Sequence, residues 1–413
     1  MLRRLHLSNV GPVPELELDL AERINLVTGD NGLGKSFLLD VAWWALTQTW
    51  SGMMARPAKG VHRADIRVGF DEESRFWWSS REQRWENEAT GHPADLGMVA
   101  YARVDGGFSV WDPARNHRTP QGVAAPPDRL ASYVLDPNQV WDGLEHDGVS
   151  LCEGLVRDWA SWQKEGGEAF AQLRAVLEGL SPSPRERLRP GDFVRLGFQA
   201  RDIPTLRMPY GQDVPVVHAS AGMRRIIALA YMLVWTWQEH LKASELLGEP
   251  PARSITFLID EIESHLHPQW QRRILGALLG VMEALTGAGD VRVQVITATH
   301  SPLLLASLEP LFDPARDALW TLELVDDAVE LSKIMWHRQG DANRWLTSEV
   351  FDLAIPRSLE AEQALQRAEA LLREAEPDRP KLREVNEELL RVLPDDDSFW
   401  ARWGYFLEQR GVK

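Results

Sequence analysis

The residues Gly29-Asp30-Asn31-Gly32-Leu33-Gly34-Lys35-Ser36 carry the spacing G-x-x-x-x-G-K-S directly after the apolar run Ile24–Val27. That pattern holds phosphates: glycines let backbone N–H groups turn inward, a lysine reaches the β- and γ-phosphates, and a serine hydroxyl ligands Mg²⁺. Phe37 then opens an apolar helix whose positive end faces the same anion. Gly29 through Phe37 are therefore the expected ATP-binding residues, with Ser36 as a metal ligand. A second apolar run, Ile255–Ile259, ends in Asp260-Glu261. Asp260 suits the Mg²⁺ shell, and Glu261 suits orienting and deprotonating the attacking water. A third, Val293–Ile296, leads to Thr299-His300-Ser301-Pro302, with His300 39 positions after Glu261. An imidazole at the carboxyl end of such a strand can hydrogen-bond the γ-phosphate or the water. Lys35, Glu261 and His300 form the expected catalytic set.

Ser220-Ala221-Gly222 opens a long apolar helix. A serine, a close-approach glycine and a helix N-terminus make a second anion site. The P-loop already surrounds the phosphates of its own chain, so this site fits a dimer in which Ser220 and Gly222 of one subunit close on nucleotide held by the other. A plain N-cap explains Ser220 alone equally well.

Those elements need a parallel sheet to bring them to one edge, and 413 residues at 44% apolar content can build one. The net charge of −16 argues against a chain that coats nucleic acid through its bulk field. One basic stretch, Arg185, Arg187 and Arg189, is either solvated surface or a nucleic-acid contact. The single Cys152 excludes an internal disulfide framework and reads as a small buried side chain. Eighteen tryptophans, scattered among apolar residues, read mainly as packing. No signal peptide is visible. The longest apolar run, Ile226–Trp237, has twelve residues against the ~20 needed to span a bilayer. The expectation is a cytoplasmic protein without a membrane partner.

Along the chain, residues 2–20 alternate around Gly11-Pro12 and predict a hairpin. Period-two patterns at Ile66–Phe70, Phe76–Trp78, Met98–Val104 and Phe108–Trp111 predict an antiparallel β-subdomain, the last two joined at Asp105-Gly106-Gly107. Residues 113–137 read as a loop and 143–181 as mainly helical. A strand or two is expected near Leu319–Leu331, and two or three amphipathic helices after Leu359. The expected division is 1–142, a P-loop lobe with the β-subdomain; 143–217, a helical insertion; 218–355, the second half of the core; and 356–413, an acidic helical tail. The fold class is α/β.

With these elements in this order the chain resembles the ATP-binding-cassette ATPase superfamily. Glu263-Ser264-His265-Leu266-His267-Pro268 and Thr299-His300-Ser301-Pro302 make it look most like the RecF-like and OLD-like branch. The resemblance covers roughly 1–50 and 215–355. It implies an ABC-type P-loop head that binds ATP and Mg²⁺, hydrolyses ATP, and dimerises head to head, or assembles further, around the nucleotide. By the same resemblance Ser220 and Gly222 match the signature motif, Ser264 the loop that crosses the dimer seam, His300 the switch histidine, and Gln139 the metal- and water-sensing glutamine. The sequence departs from the family where Ala-Ser-Ala-Gly-Met replaces the common Leu-Ser-Gly-Gly and where His267 stands in the place of an aspartate. Only 185 positions separate Lys35 from Ser220, too few for long coiled-coil arms. After His300 about 110 residues remain, and the only carboxylates that could start a nuclease site on strand ends are Glu323, Asp326 and Asp327. Asp395-Asp396-Asp397 reads as a helix start or as solvated charge. Stand-alone members of this branch are implied to act as switches for a partner effector, nuclease or toxin, in bacterial anti-phage defence. The alternatives are a RecF-like repair ATPase that contacts DNA or RNA, and an ATP-dependent nuclease in its own right.

Overall fold

The computed structural model describes the chain except residues 62, 88–96, 117–129, 198–200, 287–290, 327 and 413, and the side chains of residues 13 and 286. It divides into two compact units, Met1–Trp345 and Leu346–Lys413. In the first unit the strands are β1 (Arg4–Val10), β2 (Val13–Asp19), β3 (Ile24–Gly29), β4 (Asp65–Gly69), β5 (Glu73–Ser79), β6 (Arg84–Asn87), β7 (Met98–Ala102), β8 (Phe108–Trp111), β9 (Tyr133–Leu135), β10 (Leu144–His146), β11 (Val149–Cys152), β12 (Arg189–Pro190), β13 (Thr205–Arg207), β14 (Asp213–Pro215), β15 (Ser254–Asp260), β16 (Arg292–Ala298), β17 (Asp317–Val325) and β18 (Ala328–Ile334). The helices used below are α1 (Lys35–Thr47), α2 (Pro137–Asp142), α3 (Leu155–Glu165), α4 (Glu168–Gly179), α5 (Ala221–Leu247), α6 (Pro268–Gln271), α7 (Ile274–Thr286) and α8 (Pro302–Leu308).

An eight-stranded sheet in the order β18-β17-β3-β16-β15-β7-β8-β9 forms the core. Its centre, β17 through β7, is parallel. Register pairs Val27 with Ala298 and Ala298 with Asp260, so β3, β16 and β15 end at one edge. Such strands are covered on both faces and must be apolar throughout; all seven residues of Ser254–Asp260 are buried. α1 lies between this sheet and an antiparallel five-stranded sheet in the order β2-β1-β4-β5-β6. Sandwiched in this way, it buries Leu38, Leu39, Val41, Ala42, Trp43 and Trp44. Burial of each large apolar side chain stabilises by ~1.5–3 kcal/mol, so the helix that presents Lys35 and Ser36 is held by most of its length.

The hairpin expected over residues 2–20 is present as β1 and β2. Residues 98–111 do not join the antiparallel subdomain: β7 pairs in parallel with β15 and carries β8 and β9 at the edge of the core sheet. Met98-Val99-Ala100-Tyr101 is an unbroken buried run, the mark of a strand covered on both faces. The stretch 143–181 begins with the hairpin β10–β11 and becomes helical only at α3 and α4. The insertion also carries the small sheet β12-β13-β14, so it is mixed. Most of the expected loop 113–137 lies outside the described residues. Cys152 is buried, and Trp43, Trp159, Trp345 and Trp403 are among the most buried large side chains.

The second unit holds three helices, Leu359–Arg373, Arg379–Val392 and Phe399–Gln409. Leu365, Ala368 and Leu371 pack with Leu382, Val385 and Leu389 and with Trp403 and Phe406. Asp397 accepts the Phe399 N–H and pairs with Arg357, the start of a helix as its sequence suggests. This unit begins ten residues before the expected boundary at 356. Among the described residues no helix is long and apolar enough to cross a membrane.

Candidate active site

Two glycines shape the phosphate loop. Gly29 has φ 123°, and a Cβ there would stand 2.1 Å from the Leu322 carbonyl oxygen; Gly34 has φ 104° and leaves no room beside Pro12. Either conformation is strained for any other residue. Lys35 Nζ donates to the carbonyl oxygens of Gly29 (2.8 Å) and Asp30 (2.7 Å), so the lysine spans its own loop. Burial lowers its pKa, and the charges of Glu261 and Asp260 oppose that. Asp30, Asn31, Gly32 and Ser36 are exposed along the loop. Leu33 packs into the core and the Phe37 ring lies against Gly11, which leaves their backbone N–H groups as the parts able to meet an anion.

At the end of β15, Asp260 lies beside Ser36 and is pushed up to about 6, chiefly by burial. Its Oδ1 is buried with no hydrogen-bond partner. Buried polar atoms are normally satisfied, so an orphaned carboxylate oxygen beside Ser36 fits a divalent cation. Glu261 follows at φ 47°, a left-handed conformation that costs a non-glycine residue of order 1 kcal/mol or more. Its Oε2 accepts from Ser264 Oγ at 3.1 Å, and its Oε1 lies 3.2 Å from His300 Nε2. With a carboxylate as its neighbour, Nε2 carries the hydrogen. Burial and the nearby Lys35 charge lower the His300 pKa, which favours the neutral ring as a donor to Glu261.

Ser220 caps α5 by accepting from Met223 N at 3.4 Å. Gly222 has a reason within its own chain: a Cβ there would come within 2.6 Å of the His265 carbonyl oxygen. Two residues outside the expected set complete the arrangement. Arg225, on α5, donates to the carbonyl oxygens of Asp260 (2.8 Å), Glu261 (2.9 Å) and Val104 (2.8 Å). It therefore ties the start of α5 to the carboxylate strand. Glu263 accepts from Thr299 Oγ1 and from the His300 N–H. Both follow expected residues by a few positions; Glu263 opens the string that carries the family resemblance, but its type and spacing assign it no role, and nothing marks Arg225. His267, in the place of an aspartate, caps α6 through Nδ1.

Among the described residues, Gln139 makes no hydrogen bond to the other site residues, although its neighbours Pro137, Val140 and Trp141 line a cavity with Arg225 and Ile259. It sits in α2 after β9, three strands from β15. Its Oε1 accepts the Asp136 N–H while Asp136 caps its own N–H, a reciprocal capping box. The strand beside β15 is β7, which leads to Arg103 and Asp105. Glu323 lies on β17 and Asp326 in the turn after it, and Asp327 is outside the described residues.

The P-loop, the Asp260-Glu261 pair and His300 converge at one sheet edge, an arrangement able to bind a nucleoside triphosphate and direct water at its γ-phosphate. Two family models match the sequence. Residues 4–89, with the phosphate loop, match "AAA domain". Residues 125–306, with Ser220, Asp260, Glu261 and His300, match "AAA domain, putative AbiEii toxin, Type IV TA system". Among solved structures, the SMC head domain from Thermotoga maritima is similar at 14% identity and TM-score 0.38, covering 81% of this chain and 99% of that one. The Smc head domain from Pyrococcus furiosus, bound to the C-terminal domain of ScpA, gives 11%, 0.38, 81% and 96%. The recombination mediator protein RecF gives 14%, 0.36, 81% and 98%. With the phosphate loop inside one AAA-domain match, the carboxylate pair inside the other, and both at one edge of the same sheet, the chain is an ATPase.

Proposed function

We propose that this ATPase is a nucleotide-dependent dimeric switch that acts in the cytoplasm and controls a partner effector in anti-phage defence. The observation that carries the chemical part is the Glu261 carboxylate, held by Ser264 and His300 beside Asp260. Glu261 accepts a proton from water as the water oxygen bonds to the γ-phosphorus. The bond from that phosphorus to the β–γ bridging oxygen breaks, and ADP leaves. Lys35 turns from the Gly29 and Asp30 carbonyl oxygens to the phosphates. His300, neutral and donating, senses the γ-phosphate and holds Glu261 in place. Ser36 and Asp260 would hold Mg²⁺, which would supply positive charge at the phosphate oxygens.

The dimer is supported by the N-terminus of α5, where Ser220 and Gly222 match a motif that closes on nucleotide across a seam. The effector role is supported by the resemblance to stand-alone members of the RecF-like and OLD-like branch. The description of the family that matches 125–306, which names a type IV toxin–antitoxin system, points the same way.

The test compares the masses of the wild-type and Glu261→Gln proteins with and without ATP·Mg²⁺, neighbouring gene products being co-expressed. An ATP-dependent assembly that persists in the variant and carries a second protein is expected. Nucleotide-independent mass with no companion sinks the switch, and unchanged turnover in Glu261→Gln sinks the role of Glu261.

A second reading is nucleic-acid contact. It is favoured by a cavity of about 600 Å³ lined by Arg185, Arg187, Arg207, His267 and Tyr210. Arg187 and Arg207 are paired with Glu178 and Asp213, which weakens its field. ATP-dependent binding of DNA that falls steeply with salt would favour it.

A further inference from the structure

Glu263 is 8% exposed, yet it is a carboxylate. Its Oε1 accepts from Thr299 Oγ1 at 2.7 Å and from the His300 N–H at 2.6 Å, while its Oε2 is buried with no partner. Burying a carboxylate is costly, and the two donors that meet one of its oxygens offset part of that cost.

The contacts around it close a ring. Thr299 Oγ1, having donated to Glu263, accepts from the Ser301 N–H at 3.1 Å. Ser301 Oγ donates to Gln271 Oε1 at 2.9 Å, and Gln271 Nε2 donates to the Leu266 carbonyl oxygen at 3.0 Å. The Leu266 N–H returns to the Glu263 carbonyl oxygen at 2.9 Å. The ring joins the loop that presents His300 to residues 263–267. Those residues touch α5, because the His265 carbonyl oxygen fills the space that a Cβ at Gly222 would need.

We propose that Glu263 is a positioning residue: its carboxylate fixes the backbone at His300, so that the imidazole meets Glu261, and passes movements of that loop to residues 263–267 and the start of α5. This rests on the roles given above to Glu261 and His300. Small displacements of catalytic groups cost large factors in rate, so the effect appears in kcat and not in nucleotide affinity.

The experiment is steady-state ATP hydrolysis by the full chain with Glu263→Ala and Glu263→Gln, each alone and with His300→Ala, alongside melting temperatures. Glu263→Ala is expected to lower kcat roughly 10- to 100-fold with KM for ATP within about threefold. Glu263→Gln, which keeps an acceptor oxygen, is expected within about fivefold of wild type. In the His300→Ala background Glu263→Ala is expected to cost nothing further, since groups acting as one unit are not additive. An unchanged kcat in Glu263→Ala, or the same loss with and without His300, overturns the proposal. Should Glu263→Ala fail to fold, a collapse of kcat in Glu263→Gln at the wild-type melting temperature overturns it instead. Glu261→Gln in the same series reads the parent assignment separately: turnover unchanged there defeats the role of Glu261, not the coupling.

Discussion

The molecule holds two histidine–carboxylate pairs that serve opposite ends. His240 and Asp112 lie 2.8 Å apart with side chains only 2% exposed, and the other imidazole nitrogen accepts the Ala252 N–H at 2.8 Å. Both ring nitrogens are occupied, and the pair links α5 to the segment after β8. His300 and Glu261 lie 3.2 Å apart with side chains about 30% exposed, Glu261 in a left-handed conformation and an orphaned Asp260 oxygen next to it. Asp112 Oδ2, like Asp260 Oδ1, is buried without a hydrogen-bond partner, so what separates the pairs is exposure and the left-handed backbone at Glu261; such strain is tolerated where a substrate completes the set. Distance alone does not separate the two; what surrounds the pair does.

That contrast breaks if the two histidines behave alike. His300→Ala is expected to lower kcat roughly 100-fold and to leave stability within about 1 kcal/mol. His240→Ala is expected to cost about 2–3 kcal/mol by removing one of the two partners of Asp112 Oδ1, the Ala114 N–H remaining, together with the acceptor of the Ala252 N–H, with turnover per folded molecule unchanged. Chemical denaturation read beside ATP hydrolysis decides it, and equal losses of stability would erase the distinction.

Asp260 sharpens it. Its pKa in the folded chain, about 6, lies above the ordinary 3.8. The stabilisation from protonating it is complete below about pH 4 and lost as pH rises through about 6, so at neutral pH the nucleotide-free protein bears a cost. Asp260→Asn is expected to abolish turnover while stabilising the nucleotide-free chain by ~2 kcal/mol. A melting temperature no higher than wild type at pH 7.5 counts against this. The smallest effect concerns Cys152, whose thiol lies 3.1 Å from the Tyr231 hydroxyl and is pushed up to about 11 by burial. Cys152→Ala should cost about 1 kcal/mol, and thiol reagents should label the native protein slowly. Rapid labelling would show that this buried cluster opens.

Much of the site is legible from residue order. Gly29–Ser36, Asp260-Glu261 and His300 each follow an apolar run, and in a parallel sheet such runs end at one edge. Gln139 is not decided by residue order, because a glutamine three residues after Asp136 also makes a capping box through its Oε1. Residues 98–111 mislead for a related reason, since a short apolar run fits either a half-buried or a fully buried strand until its neighbours are known.

The amino-acid sequence by itself determined the phosphate loop, the carboxylate pair and the histidine, because each depends on residue type and local spacing. Only the tertiary structure decided that Arg225 clamps the end of β15, that Gly222 is small for the sake of the His265 carbonyl, and that Glu263 holds the loop of His300. Those three are contacts between segments brought together by the sheet, and the geometry of a contact is not written in either segment alone.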